Sequence, residues 1–519
     1  MNDMFQRNKI QPGSGYLNDE SKMTGRGMNV MSPYDVSELQ EVLRVYNSKG
    51  NPVTVSGMRT GLCGGAVPLG NDVLSTENLH GITGIGRDDK GFYLRVLPCT
   101  TLNEIDGFLR KGDFSGLEEL SEDAASDASA VENGLMYPVD PTELDGSIGG
   151  NVATNASGPR TYSMGPTRDW IRGMRVAMAD GSVFRMHRGL YMAEGRRMSF
   201  PSGRNYFSFD LPDMDNRVDV KNAMGPMIHP DMDLMDLFIG SEGIFGVIVE
   251  VDVYLRERTP TVSLMAFLPD DASALSTVKA VRASEGLDPE FIEYMDVKSV
   301  DLVRKAMNDD PSFIRIPALP EGPCSAVFLD VPLESIGTRC SILDSILRDN
   351  GSSIERTWCG VDHSDKSRLR SMRHAVPRSV FEYVASLKGE MPSIHKMGTD
   401  MSVPDASADE MMAYYHDKLD ETGLEYCMFG HIGDNHPHVE IILHSMEDFE
   451  KAREVYRDLA AKAIELGGSP SAEHGIGKIK REYVGMMYGT EGVEAIRRLK
   501  SILDPKWILC PDNIVERVK

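Results

Sequence analysis

The chain has 519 residues, 26% of them charged and 41% hydrophobic, with a formal net charge of −24. That length allows roughly two to four globular units, and the acidity argues against nucleic acid or an anionic membrane as a general partner. The seven cysteines are scattered without a C-x-x-C. Such a set fits a reducing, cytoplasmic setting and argues against a built-in iron–sulfur cluster.

In chain order, MNDMFQRNKIQPGSG holds no hydrophobic signal region. Residues 35–49 read as an amphipathic helix. Val36, Leu39, Leu43 and Tyr46 share a face, Asp35 and Glu38 have capping-box spacing, and Gly50 stops it. A strand at 52–55 runs into a loop with Gly57, Gly61, Gly64 and Gly65. Residues 112–147 are acidic and mixed. A second cluster packs Gly149, Gly150, Asn155, Ala156, Ser157 and Gly158 into ten residues. Runs of this kind let backbone N–H groups reach a phosphate without side chains in the way. Neither cluster fits G-x-x-x-x-G-K-[ST], and neither reads as G-x-G-x-x-G opening a helix. Two phosphate-type loops outside those patterns suggest a long diphosphate cofactor in another fold.

A strand at 174–178 closes on the turn Asp180-Gly181. Residues 186–235 are Met-, Gly- and Arg-rich with little periodicity and read as a long insertion loop. The most apolar stretch, 237–255, is broken by Glu242, Glu250 and Asp252, which excludes a membrane span. Strands at 262–268 and 325–331 alternate with helices at 272–284 and 334–348. Strands near 425–430 and 438–443 follow, then a helix at 447–465. This alternation marks a separate α+β unit.

The chemistry-bearing residues gather late in the chain. His431 and His438 flank a tight turn in HIGDNHPH, a spacing that suits a divalent metal, although two histidines on a hairpin are also common as hydrogen-bonded surface groups. Glu473 and His474 open a glycine-rich turn. An imidazole such as His474 suits removal of an alcohol proton near neutrality. The stretch 368–384 offers Arg368, Arg370, Arg373 and Arg378, and Lys396 follows. Their plain alternative is a solvated basic helix face. Cys63 reads as a small packing residue.

Five ordered segments carry a family resemblance over about residues 30–517. They are the first glycine loop, the run 148–158, LFIGSEGIFGVI (237–248), GHIGDNHPH (430–438) and SAEHGIGKIK (471–480). Together they resemble the FAD-linked oxidases and dehydrogenases of the vanillyl-alcohol-oxidase (PCMH) type, in the D-lactate, D-2-hydroxyglutarate and glycolate dehydrogenase branch. The resemblance implies an α+β fold: a PCMH-type two-part FAD-binding domain and a cap domain with an antiparallel sheet flanked by helices. It divides the chain into an N-terminal extension (1–27), the FAD domain (28–258), the cap (259–465) and a segment returning to the FAD domain (466–519).

The resemblance also implies roles. Non-covalent FAD would be held by Ser56, Gly57, Met58, Arg59, Thr60, Gly61, Cys63 and Gly64 of the first loop. Pro138, Asp140, Ile148, Gly149, Gly150, Thr154, Asn155, Ser157 and Gly158 would hold it around the second. Glu242, Gly243, Val247 and Ile248 would complete the set. A zinc-like ion would sit on His431, His438 and Glu473, with His474 as base and Arg373 and Lys396 on the substrate carboxylate. Asp400 and Pro404 complete that D-x-x-x-P pattern. The family's H-x-G-D-G-N-x-H becomes H-I-G-D-N-H-P-H here. Glu440 stands where an asparagine often contacts substrate. His436 and Glu440 are therefore either extra ligands or determinants of substrate fit. Cys510 stands where the family often has Asn, a departure at a position of flavin contact.

Pro377 replaces a threonine that holds a second carboxylate, which points to a small acid such as D-lactate. Hydride would pass from the substrate carbon to the flavin. No nicotinamide, haem or cluster motif provides a second redox centre, so the resemblance implies electron-transfer flavoprotein or an iron–sulfur subunit as acceptor. Self-association into a homo-oligomer is left open. The alternatives are an enzyme like alkyl-glycerone-phosphate synthase or an alcohol oxidase on the same scaffold, and a flavin-carrying subunit without substrate chemistry of its own.

Overall fold

The computed structural model describes residues 6–309, 313–391, 394 and 397–517. The chain divides into two compact units. The first runs up to Gly158 and adds Gly165–Arg258 and the chain from Ser471 onward; the second is Pro159–Met164 with Thr259–Pro470.

In the first unit, the helix Val36–Lys49 begins where the Asp35 carboxylate accepts the Glu38 N–H, and it ends at Gly50, φ +68°. Its apolar face, Leu39, Val42, Leu43 and Tyr46, packs with Val53, Leu74, Val247, Val249, Ile508 and Leu509 in one buried core. The C-terminal residues enter that core through main-chain bonds. The Val53 N–H donates to Ile508 O at 2.7 Å, and the Cys510 N–H donates to Val53 O at 2.8 Å.

A four-stranded sheet runs Asn8–Lys9, Asn29–Met31, Asp72–Ser75, Val53–Ser56. Its edge strand comes from residues read as an N-terminal extension. A six-stranded sheet holds Val183–His187, Ile171–Ala177, Val247–Tyr254, Gly91–Val96, Ile82–Asp88 and Glu118–Glu119.

Residues 186–235 are not a bare loop. Arg197–Ser202 pairs with Asn205–Asp210 in a hairpin, and the Phe200 ring stacks on Phe184 and Phe207 at 4.9 and 5.0 Å. Pro201 interrupts the strand pattern, and Gly203-Arg204 is not one of the strong hairpin dipeptides, so local signals hid the turn.

The second unit is built on a seven-stranded sheet in the order Thr357–Gly360, Thr261–Leu268, Ser325–Pro332, Phe291–Met295, Glu425–His431, His436–Ile442, Met397–Gly398. Every pairing in it is antiparallel. Thr261–Leu268 is buried at all eight positions, as a strand covered on both faces requires. Helices Asp271–Ala283, Val297–Asp309, Ile336–Asp349, His363–Leu387, Ala408–Thr422 and Met446–Glu465 flank the sheet. Both halves are thus the α+β architecture that the resemblance implies.

Candidate active site

The second unit gathers a polar face on three neighbouring strands. His431 pairs with His436 across the hairpin. Tyr294 pairs with Gly430, which sets Glu293 beside His431. Strand alternation puts His436, His438 and Glu440 on one face. The ring centroids of His431, His436 and His438 lie 4.5–5.4 Å apart, and a ligand atom from each lies within 4.8 Å of the others.

Each ring also meets an oxygen. His431 Nδ1 is 2.5 Å from Glu293 Oε1, His438 Nδ1 is 3.0 Å from Thr399 O, and His436 Nε2 is 3.2 Å from Asp400 Oδ1. An oxygen acceptor behind a ligating imidazole fixes the tautomer and makes the ring a better donor. The donor set therefore fits a divalent metal.

Arg373, on the helix His363–Leu387, donates from Nε to Glu293 Oε2 at 2.5 Å. Burial would raise the Glu293 carboxyl, but the charges of Arg373 and His431 and their hydrogen bonds outweigh it and hold it below the usual carboxylate range. The neighbouring arginines behave differently. Arg368 and Arg370 are exposed, and Arg378 is an exposed partner of Glu382 at 2.8 Å. Pro377 lies inside this helix and brings no N–H to the carbonyl of Arg373 four residues earlier. Lys396 lies outside the described residues.

The departures from the family turn have local causes. Asn435 takes φ +52°, a left-handed position that asparagine tolerates in place of glycine. Its amide donates to Asp405 Oδ1 at 2.6 Å and its oxygen accepts from Arg282 at 2.9 Å. Glu440 is buried. A Cβ on Gly398, its partner across the strands, would meet Glu440 Oε1 at 2.5 Å, so the Glu440 carboxylate lies directly against the glycine.

In the first unit, the two glycine clusters part ways. The second folds as a short helix, Ile148–Thr154, behind an N-cap at Ser147. The N–H groups of Ile148 and Gly149 are spent on Thr100 O and Pro98 O, and that of Gly150 on Ser147 Oγ. Those three are not offered to a phosphate. In the first loop, residues 57–62 donate their backbone N–H to no oxygen among the described residues. A run of such donors is an anion cradle.

Buried Lys478 reinforces the first loop, donating to Gly64 O, Gly65 O and Asn513 Oδ1 at 3.1, 3.0 and 2.5 Å. Burial lowers its pKa. The Ser157 hydroxyl is buried with no hydrogen-bond partner among the described residues. Gly158 lies so near Asp140 that a Cβ would fall 2.0 Å from its carbonyl oxygen. Cradle, cation and unspent hydroxyl fit FAD. The Cys63 thiol donates to Gly475 O at 3.3 Å, in keeping with a packing role. Val247 faces the core, while Gly243 lies against Cys510, where a Cβ would meet Sγ at 2.8 Å.

Glu473 and the half-buried His474 lie in this unit, on a loop held by Glu242. The Glu242 carboxylate accepts the N–H groups of Ile476 and Gly477 at 2.6 and 2.7 Å. Lys221, from the stretch read as an insertion, reaches Glu473 Oε1 at 2.5 Å and donates to Gly158 O at 2.9 Å. Composition gave no signal for Lys221 or Lys478, because a lysine reads as surface until its partners are known. Glu293 was equally hidden: its partners lie 80 and 138 residues away.

Burial pushes the Glu242 carboxyl up to about 7 against the two backbone bonds and the charges of Lys478 and Lys480. The folded state then holds a proton that the unfolded chain has released. Stability from this group is present below pH 4.5 and is lost as pH rises towards 7. Glu242→Gln should flatten that loss, measured as thermal midpoints across the window. A variant whose midpoints track wild type at every pH would exclude Glu242 as the source.

Comparison with known proteins identifies the family. The family profile described as FAD linked oxidases, C-terminal domain, matches residues 258–514, and that described as FAD binding domain matches 124–187. Glycolate oxidase subunit GlcD of Bacillus subtilis is 26% identical over 93% of this chain and 88% of its own length. D-lactate dehydrogenase of Anaerostipes hadrus is 27% identical, covering 96% and 92%. D-2-hydroxyglutarate dehydrogenase of Xanthomonas citri is 27% identical, covering 95% and 90%. Among solved structures, an alkyldihydroxyacetonephosphate synthase superposes with a TM-score of 0.60 over 94% of this chain and 77% of that one, at 12% identity, a likeness of fold. With the two profiles matched at 124–187 and 258–514 and relatives aligned over most of their length, the chain belongs to the PCMH-type FAD-linked oxidases and is an FAD-dependent oxidoreductase.

Proposed function

We propose that the protein is a dehydrogenase of small D-2-hydroxy acids, with D-lactate as the leading substrate and FAD bound without a covalent link. The observation that carries this reading is the buried face of the cap, where Arg373, Glu293 and the imidazoles of His431 and His438 share one network. A carboxylate, an alcohol oxygen and a metal call for that mixture of cation and imidazole. When bound, FAD supplies the hydride acceptor and a divalent ion supplies polarisation of the hydroxyl.

The side chains do the rest. Arg373 anchors the carboxylate, with Lys396 in the same role by resemblance. His474 takes the proton from the hydroxyl oxygen, and Glu473 joins His431 and His438 as the acidic ligand. Lys221 keeps Glu473 in place within its own unit. Pro377, with no group to hold a second carboxylate, supports a small substrate.

Electrons then pass to a partner, an electron-transfer flavoprotein or an iron–sulfur subunit. Two facts support this: the sequence has no second redox motif, and a relative is itself named as a subunit. All seven cysteines are free, which supports a reducing, cytoplasmic setting. Among the described residues, no helix is long and apolar enough to cross a membrane.

The test is anaerobic stopped-flow. D-lactate should bleach the flavin fast, air should restore it slowly, and an artificial acceptor should restore turnover. Acid precipitation should leave the FAD in the supernatant. Reoxidation by air as fast as reduction would make the protein an oxidase. No bleaching by any D-2-hydroxy acid would overturn the assignment.

A further inference from the structure

We infer that His436 is a third imidazole ligand, so that the cap hairpin by itself supplies three nitrogen donors, beside which Glu473 contributes the least to holding the ion. This rests on the metal reading above and deepens it.

The argument begins with strand register. A two-ligand hairpin would need only His431 and His438, seven positions apart on opposite strands. Here the residue directly across from His431 is also a histidine, and alternation puts it on the same face as His438. The His436 ring is the one nearest His438, at 4.5 Å between centroids, and it is fully buried. An imidazole is costly to bury without polar partners.

Orientation is the second observation. Each ring has one nitrogen turned to an oxygen: Glu293 for His431, Thr399 for His438 and Asp400 for His436. The acceptor fixes the N–H on that side and puts the lone pair on the other nitrogen. That assigns Nε2 of His431 and Nε2 of His438 as donors. His436 Nε2 stands 3.2 Å from the Asp400 carboxylate, and a His436 ring nitrogen lies within 4.8 Å of the ligand atoms of the other two rings. Asp400 and Glu293 supply negative charge one shell out, which offsets a dication held by neutral rings.

Glu473 supplies the third observation. It has a cation within its own unit, Lys221 at 2.5 Å, so its charge is compensated without an ion. Three imidazoles favour zinc, cobalt, nickel or copper over magnesium and manganese, which prefer oxygen donors.

The test uses the FAD-loaded protein, stripped by chelation and titrated with Zn²⁺, beside His436→Asn and Glu473→Gln. His436→Asn restores the asparagine of the family pattern. It should weaken Zn²⁺ by more than the roughly 10–100-fold that loss of an outer-shell partner costs, whereas Glu473→Gln should weaken it by under about tenfold. X-ray absorption of the zinc-loaded wild type should count three imidazoles, and His436→Asn should show two. Thermal melting and flavin content identify any variant that fails to fold, and the wild-type imidazole count decides the matter without a variant. Two imidazoles in wild type, with affinity lost in Glu473→Gln and kept in His436→Asn, would overturn the inference and leave the family-like site standing. A wild type that binds neither Zn²⁺ nor Co²⁺ would overturn this inference together with the metal reading beneath it.

Discussion

His431→Ala should abolish most turnover with D-lactate while FAD stays bound. The two properties separate because His431 belongs to the cap unit, whereas the glycine loops and Lys478 belong to the other. Loss of this imidazole removes a proposed metal ligand and the contact with Glu293. A drop of about 100-fold or more in kcat/KM is expected, equivalent to about 2.7 kcal/mol of transition-state stabilisation. Stability should fall only modestly, because Arg373 still neutralises the buried Glu293. His438→Ala should behave in the same way. Steady-state kinetics, flavin absorbance and melting on the same preparation check this. Unchanged turnover in both variants, with chelation also without effect, would reduce these residues to ordinary buried histidines.

How far the sequence revealed this arrangement depended on the range of the interactions. The helix after Asp35 was legible because cap, apolar face and terminating Gly50 all lie within one element. The hairpin carrying His431 and His438 was legible because both strands and their turn lie within 18 consecutive residues. The second glycine cluster reads as a phosphate-type loop, yet its first N–H groups turn inward to Pro98 and Thr100, and no local pattern reports such partners. Glu293, Lys221 and Lys478 were hidden for the same reason. Each is a charged residue that becomes functional or structural only when a distant segment supplies its counter-charge. Residues 186–235 misled through composition: glycine, arginine and methionine without periodicity read as a loop. The fold instead spends that stretch on a stacked aromatic hairpin and on a lysine reaching Glu473.

Arg373→Lys is the sharpest test of the proposed substrate anchor, because it keeps the charge and removes the fork. In wild type, Nε is committed to Glu293 at 2.5 Å, and the planar guanidinium carries further donors that a carboxylate can bridge. A lysine ammonium at that position must serve Glu293 or the substrate and cannot present a fixed fork to both. The substrate Michaelis constant should rise about 10- to 100-fold, in line with ~1.5–3 kcal/mol for a charged hydrogen bond. Stability should hold, because Glu293 keeps a cation. Arg373→Ala should differ in kind. It leaves a buried carboxylate with its main counter-charge gone, at a cost of about 3–5 kcal/mol in unfolding. Comparison of the two therefore separates anchoring from support. Arg368→Lys and Arg370→Lys, on the exposed side of the same helix, should leave the Michaelis constant near wild type. Equal effects at all three positions would show that the basic helix acts as a diffuse field. A normal Michaelis constant in Arg373→Lys would leave Arg373 as a support for Glu293 alone and pass the carboxylate to another cation.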